Sequence, residues 1–71
     1  MAATVIGNRI RRLRFVAGEM TRKELAEKVG VTRQTIIAIE NAHDAPSLEL
    51  AFLIARAFDT PLEEVFFYEG A

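Results

Sequence analysis

Apolar residues recur at helical intervals in five separate runs along this chain, and short polar turns divide them. Ile6, Ile10, Leu13 and Ala17 fall at i, i+4, i+7 and i+11, which predicts one buried stripe on a helix from about Asn8 to Ala17. Gly18 ends it as a left-handed C-cap. Thr21-Arg22-Lys23-Glu24 has the spacing of a capping box and opens a second helix, whose buried side is Leu25, Ala26 and Val29. Gly30 stops that helix. Thr32 caps a third, from Arg33 to about Asn41, with Ile36 and Ile39 inward. Ser47 caps a fourth, with the stripe Leu48, Ala51, Ile54, Ala55 and Phe58. Thr60-Pro61-Leu62-Glu63 opens a fifth, with Pro61 at its first position and Glu63 at its third, ending near Phe66 or Phe67. Two β-prone triplets lie at opposite ends, Thr4-Val5-Ile6 and Phe66-Phe67-Tyr68, and they can pair into a short ribbon, within a subunit or across a dimer.

The turn between the second and third helices is only Gly30-Val31-Thr32. Two helices joined by so short a glycine-containing turn form a helix-turn-helix, spanning roughly residues 22–41. Its sterics are demanding. Ala26 must be small where the helices cross, Gly30 must reach positive φ, and Leu25, Val29, Val31, Ile36 and Ile39 must be apolar to seat the motif on the domain. All seven positions are satisfied.

With Ile36 and Ile39 inward, the opposite face of the third helix carries Arg33, Gln34, Ile37, Ala38 and Asn41. Arg33 can donate two bonds to guanine, Gln34 can pair with adenine, and Ile37 or Ala38 can pack on a thymine methyl. Thr32, at the helix N-terminus, suits a phosphate, and Arg22 is placed to grip a second. His43, in the following loop, reads as a solvated or phosphate-adjacent side chain rather than a base.

Charge supports this reading once its distribution is considered. The net charge is −1, but residues 1–41 hold eight Lys/Arg against four Glu, and residues 42–71 hold one Arg against six acids. One end suits a polyanion and the other solvent or a partner. The 71 residues allow a single domain, expected to span residues 1–71, and so short a chain is only marginally stable alone. With no cysteine and a single histidine, neither disulfides nor a metal site is expected to reinforce it, which leaves homodimerisation. No cofactor or small-molecule ligand is expected. No apolar run is long enough to span a bilayer, and the N-terminus lacks the features of a signal peptide, so cytoplasm is the expected compartment.

The runs ELAEKVGVTRQTIIAIEN, PSLELAFLIARAF and PLEEVF resemble the compact Cro/C1-type (XRE-family) helix-turn-helix regulators, from about Arg9 to Phe67. The resemblance implies an all-α, five-helix, phage-repressor-like domain that binds a palindromic operator as a homodimer and regulates transcription, as a repressor. It places Arg33, Gln34 and Ala38 against bases, and Arg22, Thr32, Thr35 and Asn41 near phosphates. It also pairs Arg14 with Glu40 as a structural ion pair. The chain departs from the family after Asn41, where Ala42-His43-Asp44 replaces a glycine and basic residues. Asp59 stands at another common glycine position, and Arg22 where glutamine is common.

Phe15, Val16, Phe52, Leu53, Phe66, Phe67 and Tyr68 exceed what so small a core absorbs. A surplus of this kind marks an interface, expected here to be a twofold dimer through residues 61–71, centred on Phe66, Phe67 and Tyr68. An enzyme is excluded by the poverty of catalytic side chains, since exposed helix positions account for the neighbouring carboxylates Glu63-Glu64 and Glu24/Glu27. The rival reading is a protein-interaction module, such as an antitoxin whose main partner is a protein, which Asp44, the acidic C-terminal half and an exposed Ile37 favour.

Overall fold

The computed structural model describes residues 5–69. Strand β1 (Ile6–Asn8) leads into helices α1 (Ile10–Val16), α2 (Arg22–Val29), α3 (Arg33–Glu40), α4 (Leu48–Ala57) and α5 (Leu62–Val65), and strand β2 (Phe66–Tyr68) follows. The two strands pair antiparallel, Ile6 opposite Tyr68, Gly7 opposite Phe67 and Asn8 opposite Phe66. The C-terminal triplet thus forms its strand where predicted and pairs within the subunit. The N-terminal strand lies two residues later than Thr4-Val5-Ile6, and Thr4 falls outside the described residues.

Helix starts follow the side-chain caps. The Thr21 hydroxyl accepts the Glu24 amide at 3.0 Å and Glu24 Oε1 accepts the Thr21 amide at 2.8 Å, completing the expected box. Thr32 and Ser47 accept the amides of Thr35 and Leu50. The first and last helices differ from expectation. Asn8 belongs to β1, and its Oδ1 accepts the Ile10 amide at 3.1 Å, so α1 starts two residues later than the periodicity implied. At α5 the box does not form: Pro61 is the N-cap, and the Thr60 hydroxyl donates instead to the Phe58 carbonyl at 2.9 Å. The helix has only four residues because Phe66 turns into extended backbone at φ −122°, ψ 146°.

Ile10, Leu25, Ile36, Ile54 and Val65 are fully buried, one from each helix. Each such side chain contributes about 1.5–3 kcal/mol by leaving water. Around them lie Ala26, Val29, Ile39, Leu50, Ala51, Ala55 and Phe66, with Ile6, Leu13, Met20, Val31, Phe58 and Leu62 packed at the margin. Three expectations are corrected. Ala17 is exposed, because α1 ends at Val16 and the chain leaves the stripe. Leu48 is 70% exposed, and Leu50 takes its place in the core. Phe66 lies in the core, not at a surface, because its strand continues directly from buried Val65.

Candidate nucleic-acid interface

The geometry of α2 and α3 is set by Gly30 and Thr32. Gly30 has φ 78°, a left-handed conformation that closes α2 through its amide bond to the Ala26 carbonyl at 2.8 Å. The Val31 amide donates to the same carbonyl at 3.0 Å, and two residues later α3 begins. Ile36 and Ile39 bury against Leu25, Ala26 and Val29 in the shared core. The face of α3 away from that core carries the predicted base readers.

Arg33 and Gln34 are exposed on the first turn of α3, as a reading side chain must be. Ile37 and Ala38 are half-buried, so the expectation of an exposed isoleucine is corrected. Thr35 is also half-buried, its hydroxyl 3.0 Å from that of Thr32. Asn41 and His43 are exposed beyond the helix end. The loop there folds back on α3, with the His43 amide donating to the Ala38 carbonyl at 2.9 Å. Ala42 keeps the left-handed backbone of the glycine it replaces, at φ 61°.

Arg14 pairs with Glu40 as expected, Nη2 to Oε2 at 2.9 Å, and its Nη1 donates to the Met20 carbonyl at 2.9 Å. The structure adds a partner that the sequence did not suggest. Arg22 Nε lies 3.4 Å from the other carboxylate oxygen, so Glu40 sits between two guanidinium groups. A cleft of about 610 Å³ opens beside this cluster, lined by Arg11, Arg12, Phe15, Arg22, Glu40 and Asn41 among others. Arg11 and Arg12 are additions to the predicted site, their signal present in the sequence only as charge, and Phe15 was expected only as surplus apolar surface.

Of the predicted dimer residues, Phe67 is half-buried beneath Arg9, whose guanidinium carbon is 4.5 Å from the ring centroid, and Tyr68 is 69% exposed. Beside them is an apolar groove of about 410 Å³ lined by Ile6, Leu48, Phe66, Phe67 and Tyr68 among others. Among the described residues no cluster of His, Cys, Asp or Glu could hold a metal ion, and no helix is long and apolar enough to cross a membrane.

A family model described as helix-turn-helix matches residues 10–65, nearly all of the helical domain. The chain belongs to this helix-turn-helix family, in its Cro/C1 (XRE) type. Helix-turn-helix relatives from three organisms agree. An uncharacterised HTH-type transcriptional regulator of Methanocaldococcus jannaschii is 54% identical over 50 residues, covering 70% of this chain and 76% of the relative. One from Archaeoglobus fulgidus is 48% identical over 61 residues, covering 86% of both. The Bacillus subtilis regulator YgzD is 45% identical over 62 residues, covering 87% of this chain and 92% of its own. A crystal structure from Bacteroides fragilis, provisionally described as that of a DNA-binding protein, shares the fold with a TM-score of 0.74 at 23% identity, over 86% of this chain and 97% of that one. This helix-turn-helix protein is therefore a DNA-binding transcriptional regulator and not an enzyme, and the relatives do not favour the antitoxin reading.

Proposed function

We propose that this regulator is a repressor that binds a palindromic operator as a homodimer in the cytoplasm. The observation that carries the reading is the open N-terminal half of α3, where Arg33 and Gln34 stand exposed on a helix whose other side is locked by Ile36 and Ile39. A helix presented in this way enters the major groove with its first turns against base edges. Arg33 then reads guanine and Gln34 adenine, while Ile37 and Ala38 pack on thymine methyls. Arg22, Thr32, Thr35, Asn41 and His43 hold the flanking phosphates, which fix register without reading sequence. Pairing through Phe67, Tyr68 and the adjoining groove sets two copies of α3 about 34 Å apart, one turn of the duplex. Two subunits double the phosphate contacts, offsetting the modest charge of each. Occupancy of such a site where it overlaps a promoter obstructs transcription.

Selection from random duplex DNA tests this, followed by titration of the recovered sequence at several salt concentrations. The expected outcome is a palindrome with half-sites about one turn apart, bound roughly 10³-fold or more above random DNA. Arg33→Ala, selected in parallel, relaxes preference at one base. Recovery of no enriched sequence would overturn the operator reading.

A further inference from the structure

Glu40 is placed where a carboxylate works against DNA binding unless it serves the arginines around it. Its side chain is 6% exposed, yet it lines the same cleft as Arg11, Arg22 and Asn41. One oxygen is engaged by Arg14 Nη2. The other, Oε1, is buried with no hydrogen-bond partner, and so is Arg22 Nε, 3.4 Å away. The Arg22 side chain as a whole is 37% exposed; of its nitrogens only Nε is buried without a partner, and among the described residues there is no hydrogen bond at the two terminal nitrogens. A guanidinium can face a buried carboxylate and solvent at once, because its donors form a rigid planar fork.

We propose that Glu40 is a positioning residue: its buried carboxylate holds Nε of Arg22 inward and leaves the two terminal nitrogens for a DNA backbone phosphate, in a cleft whose α1 wall, through Arg11, contacts the same phosphate strand. The inference rests on the DNA-binding reading above and deepens it. An unrestrained arginine loses rotamer freedom when it grips a phosphate, whereas one tethered at Nε has lost it in advance, so more of the contact appears as affinity. The arrangement depends on an arginine at position 22, where the resemblance noted above makes glutamine common. It also extends the footprint onto α1, beyond the helix-turn-helix itself.

Phosphate contacts are independent of sequence, so a mixed-sequence duplex is a sufficient probe, whatever the operator. Full-length protein is titrated against it at several salt concentrations, and thermal melting reports folding. Arg22→Ala is expected to weaken binding about tenfold and to flatten the salt slope by about one unit. Arg22→Lys keeps the charge but puts its donors on one nitrogen, which cannot span from the buried Glu40 carboxylate to a phosphate outside the cleft as a guanidinium does, and is expected to fall nearly as far as Arg22→Ala. Glu40→Gln removes a negative charge beside DNA and is still expected to weaken binding a few-fold, with Arg22→Ala costing less in that background. Arg11→Ala is expected to flatten the slope by about one unit. Tighter binding by Glu40→Gln, or Arg22→Lys equal to the parent, would overturn the positioning role, and an unchanged slope for Arg11→Ala would remove α1 from the footprint. If Glu40→Gln melts below the assay temperature, the comparison of Arg22→Lys with Arg22→Ala decides alone. Failure of the parent protein to bind any duplex would sink the DNA-binding reading and this inference with it.

Discussion

Ala42 holds φ 61° at the end of α3, backbone that crowds an L side chain against its own carbonyl. Glu19 and Asp59 share this conformation at φ 60° and 52°. Aspartate tolerates the left-handed region better than most residues, and alanine has nothing to offset its Cβ. Ala42→Gly is therefore expected to stabilise the protein by about 1 kcal/mol. For a domain of this size that is a rise in melting temperature of about 4–8 °C, readable by circular dichroism. An unchanged or lower melting temperature would show that the loop relaxes around alanine at no cost. The strain at Ala42 and Asp59 was legible because both stand at family glycine positions, whereas that at Glu19 had no such marker. The caps at Thr21, Thr32 and Ser47 were legible for a related reason, since each bond spans three residues. The Arg22–Glu40 contact was not, because only the packing of α2 on α3 brings these residues together.

At the scale of the element, the ribbon is the feature that the apolar pattern located least well. A β-propensity reading finds Val5 and Ile6 and passes over Gly7 and Asn8, yet these two are what the strand requires. Gly7 faces Phe67 across the ladder, and a Cβ there would come within 2.7 Å of the ring Cζ and 2.8 Å of the Glu69 Cδ. The ring cannot withdraw freely, since Arg9 covers it and the Arg9 amide is itself bonded to the Val65 carbonyl at 2.9 Å. Gly7→Ala is thus expected to displace Phe67 and cost about 1–3 kcal/mol, as overpacking does. Denaturant unfolding measures it, and a loss below about 0.5 kcal/mol, the range of ordinary surface substitutions, would show the ring to be free. The helices of the DNA-binding motif were legible because periodicity agreed with the caps at Thr21 and Thr32 and with Gly30 between them. The fifth helix was misjudged at both ends, because a proline and a β-prone triplet leave it only four residues.

For the whole molecule, the apolar surplus divides in two. Phe66 is absorbed by the core, while Leu48 and Tyr68 remain 70% and 69% exposed near one groove, and Phe15 and Val16 stand 70% and 71% exposed on α1. Exposed aromatic and aliphatic surface of this kind marks an interface. The dimer reading predicts that Tyr68→Glu yields monomers by sedimentation with little change in melting temperature, since this side chain contributes little to the core. A dimer that survives the change would move the interface to the other exposed apolar residues, Phe15 and Val16 on α1 or Phe52 and Leu53 on α4. Composition foretold the surplus, but it could not say which aromatic the core would claim. That depended on β2 following buried Val65 without a turn.

Asn8 joins these scales. It lies in the ribbon, yet its side-chain amide donates to the carbonyls of Ile39 and Glu40 at 2.9 and 3.4 Å, in the last turn of α3. The strand that pairs with Tyr68 is therefore tied directly to the helix proposed to read DNA. If self-association holds the ribbon, these bonds carry the constraint to the end of α3, and α3 held in a groove constrains the ribbon in turn. Wherever such a coupling operates it is reciprocal: the factor by which operator tightens self-association equals the factor by which self-association tightens operator binding. Occupancy would then rise with protein concentration more steeply than one-to-one binding, giving the regulator a threshold.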